Sequence, residues 1–255
     1  MPADRPAPGR REGPAKRGSR PSDRTARSRR WVPPPPLPPD IDPRDLDRSA
    51  RAALRSLPKD LADKIAAHLV ATGTLLEDDP EQALVHAKYA RSLAPRLPVV
   101  REAMGLAAYR TGDYATALAE LRAVRRITGD PSYLPIMADS ERGLGRPERA
   151  LALANDPDAK RLDPAERVEL AIVVSGARRD RGETDAAILA LQGAELNRTT
   201  VVGWTARLWY AYAAALLDAG RVDEARQWFG SVATIDEDGE TDAEQRLAEL
   251  DAEDR

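Results

Sequence analysis

The chain of 255 residues has no cysteine, one phenylalanine, two histidines and five lysines, and nowhere runs to 18 consecutive apolar residues. Each shortage excludes something. Without cysteine there is no disulfide, no thiolate chemistry and no sulfur-ligated metal, which fits a reducing compartment. Without a long apolar run, no helix spans a membrane, and the chain reads as cytoplasmic. His68 and His86 fall in different predicted helices, with no HExxH and no spacing suited to metal ligation. Gly143-Leu144-Gly145 makes no phosphate loop, because no strand precedes it and no lysine accompanies it. The reading is therefore a non-enzymatic protein with no catalytic, cofactor or metal site.

What is abundant is small or charged. The 45 alanines against 11 aromatics argue against a large globular core and for thin helices packed closely. The 34 arginines beside five lysines read as GC-rich, bacterial coding rather than selection for guanidinium chemistry. A formal net charge of −3 hides an asymmetry: residues 1–30 hold ten Lys and Arg against three acids, and the last twenty residues hold ten acids against two arginines. Residues 1–40 carry too little apolar surface to offset the entropy of ordering, so the sequence predicts a disordered, basic, Pro/Arg-rich arm. Ser28 to Val32 look superficially like a twin-arginine export signal, but the apolar segment such a signal needs is replaced by proline from Pro33 to Pro39. That run predicts a stiff spacer of about 20 Å at ~3.1 Å per residue, and such a run also suits a proline-reading domain.

The rest of the chain repeats itself. Taking Arg101 to Arg126 as the unit, matching alanines stand at Ala83, Ala117, Ala150, Ala187 and Ala225. Twelve residues before each is a small residue: Ala71, Gly105, Ala138, Ser175 and Ala213. Five residues before each comes Asp78, Gly112, Gly145, Gly182 or Gly220, where a helix end needs a residue tolerant of left-handed backbone. A period in the thirties with two helical stripes per unit is the signature of a helical repeat array. Two antiparallel helices that cross tightly need small residues where their backbones approach.

These columns resemble the tetratricopeptide repeat (TPR) family over about residues 60–235, carried best by Pro95, by Gly112 with Tyr114, and by Trp209 with Phe229. The third repeat departs, since Asn155, Asp156 and Pro157 cut its second helix to about two turns, and the fourth lacks the aromatic positions. The fold implied is an all-α solenoid of about five helix-turn-helix repeats, with a capping helix over 41–58, the array over 59–235 and an acidic capping helix over 236–255. Asp-Pro steps at Asp42, Asp79, Asp130 and Asp163 predict helix starts, with capping boxes at Asp163/Glu166 and Thr241/Glu244.

In this family the first helices of successive repeats line a groove that holds a partner segment. The resemblance carries the groove-facing positions onto His68 and Thr72; Glu102, Leu106 and Tyr109; Asp139 and Arg142; Ile172 and Arg179; and Arg207 and Tyr210. The asparagines with which one branch grips a C-terminal carboxylate are absent. Three arginines in a mixed groove suit an acidic protein segment with an aromatic or apolar anchor, or else they are a solvated face. The implied function is an adaptor or scaffold that binds another protein. An alternative reading is a nucleic-acid- or ribosome-associated protein tethered by the basic arm, and the arm also reads as a fold-back segment or an inert tail.

Overall fold

The computed structural model describes residues 33–194, 196 and 201–253, and among these it is helical with no strand. The basic arm through residue 32 lies outside them. Three 3-10 or α pieces come first: a turn at Pro43–Asp45, α1 (Arg48–Ala53) and a turn at Leu54–Ser56. Five helix pairs follow: α2 (Lys59–Leu75) with α3 (Pro80–Leu93), α4 (Pro98–Arg110) with α5 (Tyr114–Thr128), α6 (Leu134–Gly143) with α7 (Pro147–Ala154), α8 (Pro164–Asp180) with α9 (Thr184–Gln192), and α10 (Thr205–Asp218) with α11 (Val222–Ile235). The last helix, α12 (Ala243–Glu253), lies on α11. Each helix packs chiefly on its sequence neighbours and on the first helix of the next pair, which is the one-dimensional stacking of a repeat array.

Both columns of small residues are buried. Ala71, Ala138 and Ala213 are 0% exposed and Ser175 1%, and in the second helices Ala83, Ala117, Ala187 and Ala225 are 0% exposed and Ala150 1%. Gly105 shows why the residues must be small. A Cβ placed there would lie 2.7 Å from Leu121 Cδ2, 2.8 Å from its Cγ and 3.6 Å from the Ala117 carbonyl oxygen. The two columns therefore meet at the α4–α5 crossing, and Leu121, itself fully buried, has nowhere to move.

Four of the five hairpins turn identically. Gly112, Gly145, Gly182 and Gly220 all have φ near +70°, and the residue after each donates its N–H to a carbonyl five residues back, as in Asp113 to Ala108 at 2.8 Å. This Schellman closure satisfies the carbonyls left over at the end of the first helix, and its last residue is already the N-cap of the second. The first repeat differs. Asp78 stands in the glycine column, and the hairpin closes instead through Asp79 N–H to the Leu75 carbonyl, four residues back.

Other starts also depart from expectation. Asp42 caps only the 3-10 turn, while Asp47 caps α1, so the N-terminal cap is a set of short pieces and not one helix. Asp130 receives the N–H and hydroxyl of Ser132 in a turn, and α6 begins only at Leu134. Asp79 and Asp163 cap as expected, the latter in a full capping box with Glu166. At the C-terminal end the Thr241 hydroxyl donates to Asp236 at 2.6 Å, so it is tied to the turn preceding α12.

The shortened second helix of repeat three is there, and its cause is visible. After eight residues the chain leaves α7 at Asn155, and Asp156 caps a 3-10 turn at Pro157–Arg161. Asp156 and Asp158 both accept from Arg125 of α5, at 2.7 and 2.9 Å, so the charged link after repeat three is tied back to repeat two. With α9 also only nine residues long, a cleft of about 810 Å³ opens over α8, lined by Leu170, Val174 and Leu189.

Gly105→Ala is expected to lower stability by about 1–3 kcal/mol, because its methyl group overpacks against Leu121. Gly73→Ala, in α2 with nothing within 4 Å of the new Cβ, is expected to raise it by about 0.5–1 kcal/mol. Thermal and urea unfolding of the two variants checks the contrast in sign.

Candidate functional site

The first helices α4, α6, α8 and α10 present a continuous row of half-buried polar and aromatic side chains, joined from one repeat to the next. Tyr109 of α4 donates its hydroxyl to Asp139 of α6 at 2.6 Å. Arg142, one turn along, donates to Asp139 at 2.9 Å and to Asp180 at the end of α8 at 2.7 Å. Arg179 of α8 donates to Asp218 at the end of α10 at 2.6 Å. Arg207 of α10 reaches back to Glu169 at 2.6 Å and forward to Glu240 at 3.3 Å. Arg110 and Glu77 make the corresponding link between the ends of α4 and α2.

The three arginines expected to offer themselves to a partner thus each hold a carboxylate of a neighbouring repeat. Arg142, Arg179 and Arg207 stand among Asp139, Asp180, Asp218, Glu169 and Glu240, so the acids outnumber them. Gly176 makes the Arg142 geometry possible. A Cβ at that position would fall 2.6 Å from the guanidinium carbon and from Nη1, so the guanidinium lies against bare α8 backbone.

The tyrosines are drawn into the same network. Burial, reinforced by the Asp139 carboxylate, pushes the Tyr109 phenol well above its ordinary range. Tyr133 is raised in the same way, first by burial and then by Glu102, and both side chains are half-buried at the α4–α6 boundary. Tyr210 is raised by burial and by Asp242, and its ring meets Phe229 edge-on at 5.4 Å. Leu106 and Ile172 are half-buried, and Ile172 packs against the aromatic core of the last two repeats.

Two clefts adjoin this row, the first at the edge formed by the hairpin turns and the second between the first helices. One, of about 740 Å³, is lined by Tyr114, Asp139, Arg142, Glu148, Asp180 and Arg181. The other, of about 470 Å³, is lined by Arg142, Ile172, Arg179, Arg207, Tyr210 and Asp242. They share Arg142, and together they bring six of the expected residues to one place: Asp139, Arg142, Ile172, Arg179, Arg207 and Tyr210. Glu102, Leu106 and Tyr109 lie a repeat earlier and line neither cleft.

The first repeat does not continue the row. His68 and Thr72 are 2% and 3% exposed and turn inward toward α3. Thr72 donates to the His68 carbonyl at 2.8 Å, and the two histidine rings face each other with Nδ1 to Nδ1 at 2.9 Å and Tyr89 edge-on to His68. At that distance one nitrogen donates and the other accepts, so the two rings cannot both be protonated at Nδ1. Burial, with smaller contributions from His86 and Lys64, pushes His68 down to about 4, and burial lowers His86 as well. Among the described residues no three His, Asp or Glu side chains gather as a metal-ligand set, and no helix there is long and apolar enough to cross a membrane.

Neither protein-family models nor curated proteins gave a match to the chain. Among solved structures, the crystal structure of a thermophilic TPR protein from Thermus thermophilus superposes with a TM-score of 0.58 at 22% identity, covering 73% of this chain and 98% of that one. The chain therefore has the tetratricopeptide-repeat fold.

Because both histidines have folded pKa values below the unfolded value near 6.5, the unfolded state binds more protons as pH falls from about 6.5 to 4. Stability is fully present above that window and declines through it, by an amount on the order of 1–2 kcal/mol at pH 5. Thermal melting from pH 7.5 to 4.5 is expected to show this loss, and His68→Phe to flatten it; an unchanged slope in the variant would count against buried His68 as its source.

Proposed function

We propose that the chain is a non-enzymatic adaptor that holds a segment of another protein along the first-helix face from α4 to α10. The observation that carries this reading is the junction at Arg142, where two open clefts meet and six of the expected contact residues line them. The TPR fold supports it, since such repeats stack their first helices into a surface longer than any one domain face.

The pairing of the arginines refines the partner's chemistry. An acidic segment must displace carboxylates that already sit 2.6–2.9 Å from Arg142, Arg179 and Arg207. A segment carrying Lys or Arg, or offering backbone N–H groups, instead meets the surplus of Asp139, Asp180 and Glu240 and leaves the cross-repeat pairs intact. We therefore read the partner as a cationic or amide-rich extended segment with an apolar anchor against Ile172 and Tyr210. Such binding weakens as salt is raised.

Gly176→Ala provides a test that unfolding cannot imitate. It favours helix by about 1 kcal/mol, yet it evicts the Arg142 guanidinium from its seat on α8. With the protein that co-purifies with the full chain as ligand, Gly176→Ala and Arg142→Ala are each expected to weaken binding about tenfold, ~1.4 kcal/mol. Leu189→Ala, in the cleft that shares no residue with this face, is expected to leave it unchanged. Retention of full affinity by both face variants would refute the reading.

A further inference from the structure

The proline run has a property that its sequence alone does not give. Within the run Pro35 and Pro38, three residues apart, are half-buried, whereas Pro33, Pro34, Pro36, Leu37 and Pro39 are exposed. Three residues per turn is the period of the polyproline II helix, and the chain has little other choice. Each proline ring fixes its own φ, and each residue that precedes a proline is pushed to extended backbone. That constrains Pro33, Pro34, Pro35, Leu37 and Pro38 before any contact is made. The segment ends in a turn, with Ile41 N–H donating to the Pro38 carbonyl at 3.4 Å.

One edge of the rod is therefore sheltered and two are free. The free edges carry prolines at 33, 34, 36 and 39 and one large apolar side chain, Leu37, at 41% exposure. Apolar side chains in fixed array on a rod that makes few hydrogen bonds of its own are what a groove of parallel aromatic rings recognises.

From this we infer that Pro33 to Pro39 is a ready-formed ligand for a proline-reading domain. The partner's groove is lined by aromatic rings that take the free edges of the rod. The inner edge at Pro35 and Pro38 holds the rod in its bound conformation, so less ordering entropy is lost on docking than with a free peptide. The site is separate from the first-helix face and does not depend on the reading given to that face.

The test uses the full chain, a synthetic peptide of residues 29–42, and a recombinant SH3 domain that reads arginine-flanked proline segments, followed by titration calorimetry. The intact chain is expected to bind the domain at least about threefold more tightly than the peptide does. Pro36→Ala and Leu37→Ala in the intact chain are expected to weaken that binding about tenfold or more while the melting temperature stays within a degree. Gly176→Ala is expected to leave it unchanged, which separates this result from the groove experiment. Absence of binding by the intact chain, binding no tighter than the peptide's, or a self-associated dimer that the domain cannot dissociate would each overturn the inference.

Discussion

Everything in this array depends on how closely two helix axes approach within each hairpin. At the α4–α5 crossing there is no room for even one methyl group on Gly105, and the equivalent positions in the other hairpins carry Ala or Ser. Close approach is what lets a chain with a single phenylalanine bury enough surface, because alanine on alanine gains contact through many backbone and Cβ neighbours at short range. Aromatic side chains gather where the repeats leave space, as in the last pair, where Trp209, Tyr212 and Phe229 are buried and Trp228 packs against them.

A thin apolar core leaves much of the joining between repeats to charge. Glu120 of α5 is held by Arg91 of α3 and Arg101 of α4, and its side chain is only 14% exposed. Glu141 is buried between Arg122 and Arg146. Arg125 ties repeat two to the link after repeat three and holds the Asp156 carboxyl below its usual range. Glu120 and Glu141 are sheltered carboxylates, so removing their arginines strands a charge in a poor solvent, whereas an isolated surface pair contributes little. The same logic consumes the arginines of the first-helix face, which join neighbouring repeats.

The fold was legible because its determinants are local or strictly periodic. Small residues at fixed spacing, glycines at the left-handed turns and the Asn155-Asp156-Pro157 break each act within a few residues of themselves. The face chemistry was less legible, because Arg142 meets Asp180 and Arg179 meets Asp218 at separations of 38 and 39 residues, across a repeat boundary whose register only the packed helices define. One signal was present: each of these arginines stands four residues after the small-column residue of its repeat, and each aspartate five residues after that of the next. His68 and Thr72 were misplaced on the open face, and the repeat in which they turn inward is the one without the glycine turn. The single-helix reading of the N-terminal cap likewise missed that Asp42 and Asp47 each cap a separate short piece.

Those two rungs share a spacing rule, and the rule bears on how such a chain can lengthen or shorten. An arginine four places after its small residue meets an aspartate five places after the next one. The seat does not travel with the rule: Arg142 lies against bare backbone at Gly176, and the equivalent position one repeat on is Ala214. Excision of the fourth repeat would bring Arg142 to Asp218 over a methyl group that its present seat excludes, so repeat number cannot change at this seam without a change at that residue.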